Sequence, residues 1–125
     1  MSFWEGAMLQ LAVQTRIFLA VEPVDFRKGM DGLAAVCRSR LRGDPFSGAV
    51  FVFRNQRGTA IKLLTFDGQG YWLCWKRFSQ GKLQWWPKSG EDTVSLTVSQ
   101  LQILLWNGNP ILASIPEDWR RIALG

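Results

Sequence analysis

The side chains of this chain that could do chemistry are cations and aromatics. The stretch GYWLCWKRFSQGKLQWW, residues 70–86, sets Lys76, Arg77 and Lys82 among Tyr71, Trp72, Trp75, Phe78, Trp85 and Trp86. Aromatic faces stack on bases and cationic groups pair with phosphates, so this mixture suits a nucleic-acid strand. It equally suits a covered sheet whose Lys and Arg stems run outward along apolar neighbours. Arg54 and Arg57 flank the turn in FRNQRG, and Lys62 lies on the segment after it, which extends the basic rim. A second candidate is DFRKG. Asp25 reads as a helix N-cap, and Arg27 and Lys28 then stand beside free backbone N–H groups, an arrangement that attracts anions. The bland alternative pairs Arg27 with Asp31 one turn on and leaves Lys28 in water. The candidate nucleic-acid-binding set is Arg27, Lys28, Arg54, Arg57, Lys62, Tyr71, Trp75, Lys76 and Arg77.

Hydrolytic and metal chemistry find little to work with. The chain has no histidine, which excludes Ser–His and Cys–His couples and any His-ligated zinc site. Cys37 and Cys74 are too few for a zinc cluster, and AAVCRS and WLCWK read as buried apolar surroundings. Carboxylates such as Asp44, Asp67, Glu91, Asp92, Glu117 and Asp118 fall in turns and helix starts. GQG near residue 69 lacks the spacing and the following helix of a phosphate loop. No catalytic residue, metal ligand set or cofactor is expected. A net charge of +5 favours phosphate-rich or acidic partners without specifying one. No run has the length of a membrane span and the start lacks a basic n-region, so a reduced, cytoplasmic protein is expected.

The elements that must position these residues read as one α+β domain over residues 1–125, with an antiparallel sheet of about four to six strands and two principal helices. RIFLAV is a short buried strand. Met30, Leu33, Ala34, Cys37 and Leu41 follow helical spacing, ended by Gly43 and Asp44–Pro45. GAVFVFR, TAIKLLTF, YWLCWKRF and LQWW then follow one another through the turns NQRG, DGQG and SQGK, the spacing of a β-meander. Alternation places Val50, Val52, Ile61, Leu63, Trp72, Cys74, Lys76, Phe78, Leu83 and Trp85 on one face. Phe51, Phe53, Lys62, Leu64, Phe66, Tyr71, Leu73, Trp75, Arg77 and Trp86 take the other. Neither face is polar, so both need a cover from the chain, a second subunit or a ligand. Thr97 with Gln100 makes a capping-box pattern, Leu101, Leu104 and Leu105 an apolar stripe, and Asn107–Gly108 a helix stop. PEDWRRIALG could add a helical turn.

VDFRKGMDGLAAV and DPFSGAVFVFRNQRGTAIKLLTFDGQGYWLCWKRFSQGKLQWW together resemble the Orf2-like accessory proteins, called TnpB, of IS-sixty-six-type bacterial insertion sequences. The blocks that carry the resemblance are D-x-R-K-G-x-D-G-L at 25–33, D-P-F-S-G-x-x-F-V-F-R at 44–54, and the K-L-L and K-R-F segments. It runs from about residue 16 to 106; residues 1–15 and 107–125 are peripheral to it. The resemblance implies participation in DNA transposition beside a separate, larger transposase that performs strand transfer, and it brings no catalytic residues. An unrelated RNA-guided nuclease shares the label TnpB; its length, carboxylate site and zinc module are missing from this chain. The expected function is a non-enzymatic accessory role, contacting DNA at the element ends, the transposase of the same element, or both. The alternative is a protein–protein adaptor or homodimeric structural subunit without nucleic-acid contact.

Overall fold

The computed structural model describes residues 14–88 and 90–111. Five strands form one sheet in the order β4-β3-β2-β1-β5, with β1 at Ile17–Ala20, β2 at Val50–Arg54, β3 at Ala60–Phe66, β4 at Tyr71–Arg77 and β5 at Thr93–Leu96. Among the described residues there are two helices, α1, Met30–Ser39, between β1 and β2, and α2, Val98–Leu105, after β5. The α+β expectation holds, and β2-β3-β4 is the antiparallel run that the short turns imply. Asn55 builds the first of these turns, since its Oδ1 accepts from the N–H groups of Thr59 and Ala60 while Gly58 takes the positive φ of 70°.

The sheet departs from a pure meander at β1. This strand runs parallel to β2, with Phe18 opposite Phe51, and antiparallel to β5, with Phe18 opposite Ser95. A parallel neighbour requires a crossover, which α1 supplies. LQWW is not a strand. Residues 82–88 instead fold back over the β2–β3 turn, where Leu83 N–H donates to the Gly58 carbonyl.

Alternation sorts β2, β3 and β4 as their sequences imply, and the chain itself covers both faces. Val50, Val52, Ile61, Leu63 and Cys74 pack beneath Leu101, Leu104 and Leu105 of α2. Phe51, Phe53 and Leu64 pack beneath Leu33, Ala34 and Cys37 of α1. Fully burying a side chain of this size contributes about 1.5–3 kcal/mol, which is why a sheet apolar on both faces recruits a helix to each. Three positions differ from the pattern. Trp86 packs with the α2 layer because the segment that carries it is not a strand, and its Nε1 donates to the carbonyls of Ala20 and Val21. Trp72 and Trp75, on the edge strand, stay 37% and 61% exposed.

Both helix ends of α2 match their sequence signals. Thr97 and Gln100 make the reciprocal capping box. Asn107 takes φ 61° just past the helix, and Gly108 N–H donates back to the Ile103 carbonyl. The expected turn at PEDWRRIALG lies outside the described residues.

A basic cleft between the β2–β3 turn and residues 82–88

The DFRKG segment folds otherwise than as a capped helix start. Helix α1 begins at Met30 with Gly29 as its N-cap and no side-chain cap. Asp25 is therefore not the N-cap. Its Oδ1 accepts from Arg27 N–H at 2.9 Å, and its carboxylate clasps the Arg27 guanidinium at 2.7 Å, so the partner of Arg27 is Asp25 and not Asp31. That pairing holds the Asp25 carboxyl at about 2, well under its usual value. The delay of the helix has a cause in Lys62. Its ammonium donates to the carbonyls of Phe26 at 2.8 Å and Lys28 at 3.2 Å, the acceptors that an earlier helix would offer to Met30 and Gly32. The same ammonium lies 4.9 Å from the ring centres of both Phe26 and Trp75.

Lys62 is thus buried, 4% exposed, and burial pulls its pKa down. Lys76 has a parallel task on the opposite face. Its ammonium donates to the carbonyl of Leu105 at the C-terminal end of α2 and lies over Trp106 and Phe78. Tyr71 is packed against Phe46 and Phe66, and burial raises its hydroxyl pKa. Trp75 meets Phe26 edge-on. Arg77 is exposed at the end of β4, and Arg27 and Lys28 are exposed ahead of α1.

Arg54 and Arg57 are brought together with Lys82, Trp85 and Trp86 of the aromatic–basic stretch and with Lys88, none of which was in the candidate binding set. Residues 82–88 lie across the β2–β3 turn, and the space between holds an open cleft of about 630 Å³. Arg54, Arg57, Lys82 and Lys88 line it, with Trp85 and Trp86 in its wall and no acidic residue among its lining. Arg57 also borders a second hollow beside Asp25 and Phe26, which places the DFRKG turn next to the cleft.

A backbone bond from Leu83 to Gly58 and two side chains hold the far wall in place. Asn107 Oδ1 accepts from Gln84 N–H at 2.9 Å, and Asn107 Nδ2 donates to the Lys82 carbonyl at 3.1 Å. Trp86 Nε1, anchored on the end of β1, fixes the other end of the segment. Arg54 Nη1 donates to the carbonyls of Asn55 and Gln56, while its buried Nε has no partner among the described residues. Four cations on a hydrogen-bonded frame, with aromatic surface between them and no carboxylate among the lining residues, give the cleft groups that can pair with anionic oxygens. The signal available in the sequence was QGKLQWWPK itself, where Lys82 and Lys88 bracket two tryptophans.

The described residues contain no group of three or more His, Cys, Asp or Glu side chains able to hold a metal ion. No helix among them is long and apolar enough to cross a membrane.

Comparison with known proteins gives a family and no fold precedent. A family described as IS66 Orf2 like protein matches residues 15–111. Two relatives from Sinorhizobium fredii are similar. Uncharacterized protein y4jC is 45% identical over 67 residues, 54% of this chain and 57% of its own length. Uncharacterized protein y4hO is 33% identical over 98 residues, 78% of this chain and 84% of its own. The chain thus spans little more than half of the first relative and most of the second. No solved structure matches it.

Proposed function

Because the chain belongs to the IS66 Orf2-like family of transposition-associated proteins, we propose that it is a non-enzymatic accessory subunit that contacts the DNA of its element through the cleft at Arg54, Arg57, Lys82 and Lys88. The observation that carries this reading is four cations converging on one cleft without a carboxylate. Phosphates would pair with the cations, and the half-buried faces of Trp85 and Trp86 offer stacking surface to an unpaired base. Lys62 and Lys76 would act indirectly in this reading, by fixing the DFRKG turn and the end of α2. Exposed Arg27, Lys28 and Arg77 would add charge around the rim. The transposase of the same element is the protein beside which such a subunit would work.

The test is binding of short duplex and single-stranded DNA, followed by fluorescence anisotropy across a salt series. Wild-type affinity is expected to fall steeply as salt rises, through release of counterions from the phosphates. The Arg57→Ala/Lys82→Ala/Lys88→Ala variant, which changes three cleft cations, is expected to bind all sequences more weakly. Its log–log salt slope should flatten by roughly one unit per lost contact. Affinity and slope equal to wild type, with circular dichroism unchanged, would remove the cleft and favour a subunit that meets only proteins.

A further inference from the structure

We propose that the outer edge of β4 is a homodimer interface, in which two copies pair antiparallel about a two-fold axis at Cys74 and join their sheets into one. The proposal is independent of the DNA reading and rests on the edge itself. β4 ends the sheet and pairs with β3 along all seven of its residues, from Tyr71 opposite Phe66 to Arg77 opposite Ala60. No proline or bulge interrupts it. Long flat edges of this kind offer a template for another strand, and soluble proteins commonly blunt them.

The hydrogen-bonding phase of β4 follows from its two ends. Phe78 N–H donates to the Thr59 carbonyl, and Asp67 N–H donates to the Gly70 carbonyl, so even-numbered residues direct their backbone groups to β3. Tyr71, Leu73, Trp75 and Arg77 therefore direct theirs away from the sheet. A two-fold at Cys74 sets Leu73 against the second copy's Trp75 and Tyr71 against its Arg77, so every outward-directed pair matches. The even positions set Trp72 against the second copy's Lys76.

Charge complementarity selects a second copy as the occupant. Lys76 and Arg77, both at one end of β4, would repel a parallel neighbour or another basic strand. In the two-fold register each cation instead faces an aromatic residue, a favourable cross-strand pair. Trp75 at 61% exposed and Trp72 at 37% exposed are the large apolar side chains this pairing would cover. None of the β4 residues lines the basic cleft, so both clefts stay open in the dimer.

Sedimentation over a concentration series tests the proposal. Wild type is expected to move from the 14.2 kDa monomer to twice that mass. Trp75→Pro deletes an N–H that points away from β3, which an edge strand tolerates, and is expected to remain monomeric. Trp72→Lys, which sets two lysines face to face twice, should also be monomeric. Trp72→Glu, which meets Lys76 with opposite charge, should keep the dimer, and this contrast separates pairing from simple loss of a tryptophan. DNA binding per subunit should be unchanged in the two Trp72 variants, since Trp72 does not line the cleft. Wild type that stays at 14.2 kDa at every concentration, or Trp72→Lys that dimerises like Trp72→Glu, overturns the proposal.

Discussion

Asn107 supports the cleft without lining it, and its replacement is expected to weaken folding and DNA binding together. Its side chain makes two hydrogen bonds to the 82–84 backbone, at 2.9 and 3.1 Å, and its own backbone sits at φ 61°. A hydrogen bond contributes about 0.5–1.5 kcal/mol net, and the lower half of that range suits these partly exposed groups. Loss of both costs about 1–2 kcal/mol. Left-handed φ adds about 1 kcal/mol for alanine, whose Cβ crowds the following carbonyl. Asn107→Ala should therefore cost about 2–3 kcal/mol. Asn107→Gly loses the same bonds without the steric term and should cost less, although glycine's greater freedom in the unfolded chain returns part of that difference. Urea unfolding monitored by tryptophan fluorescence reads the result. With a slope of about 1–3 kcal/mol/M for a protein of this size, the alanine variant's midpoint should fall by about 0.7–3 M at constant slope. Both variants should bind DNA more weakly, because Lys82, Trp85 and Lys88 lose a fixed wall. An alanine variant as stable as wild type, or a glycine variant less stable than alanine, would refute this account of the wall.

Lys62→Met keeps most of the stem but loses charged bonds to two carbonyls and contact with two rings, so it should cost about 2 kcal/mol; urea unfolding at wild-type stability would contradict the role given to the buried ammonium. The Asp25 carboxyl should titrate near 2 by NMR, against an ordinary value of 3.8. Since the folded value is the lower one, the stabilising pairing with Arg27 is fully present above the unfolded value and is lost as pH falls through about 2. A midpoint near 3.8 would mean that the clasp does not persist in solution. Burial raises the Cys37 thiol to about 12 and raises Cys74 as well, so both should resist a thiol reagent at pH 8 until the protein is unfolded. Rapid modification of Cys37 in the native protein would contradict its place on the buried face of α1.

Local chemistry was enough to read several parts of this molecule from its residues. Period-two alternation in VFVFR, AIKLLTF and YWLCW assigned both sheet faces, because side-chain direction in a strand depends only on position along it. The capping box at Thr97 and the stop at Asn107 were equally legible, since each acts within one turn of chain. Lack of histidine narrows the chemistry from composition alone. Which strand lies beside which, and which cation turns inward, depend on partners far along the chain. Nothing local in RIFLAV says that it pairs parallel with VFVFR, and nothing in AIKLL says that Lys62 reaches the carbonyls of Phe26 and Lys28. Those two carbonyls decide where α1 begins, so Asp25 could resemble a cap and yet serve a turn. The cleft was half visible for the same reason. Arg54 and Arg57 stood out at a turn, but Lys82 and Lys88 join them only because residues 82–88 fold back onto Gly58 and Asn107. A sequence displays the period of each segment; hydrogen bonds between distant segments, formed wherever buried backbone groups must find partners, choose the neighbours.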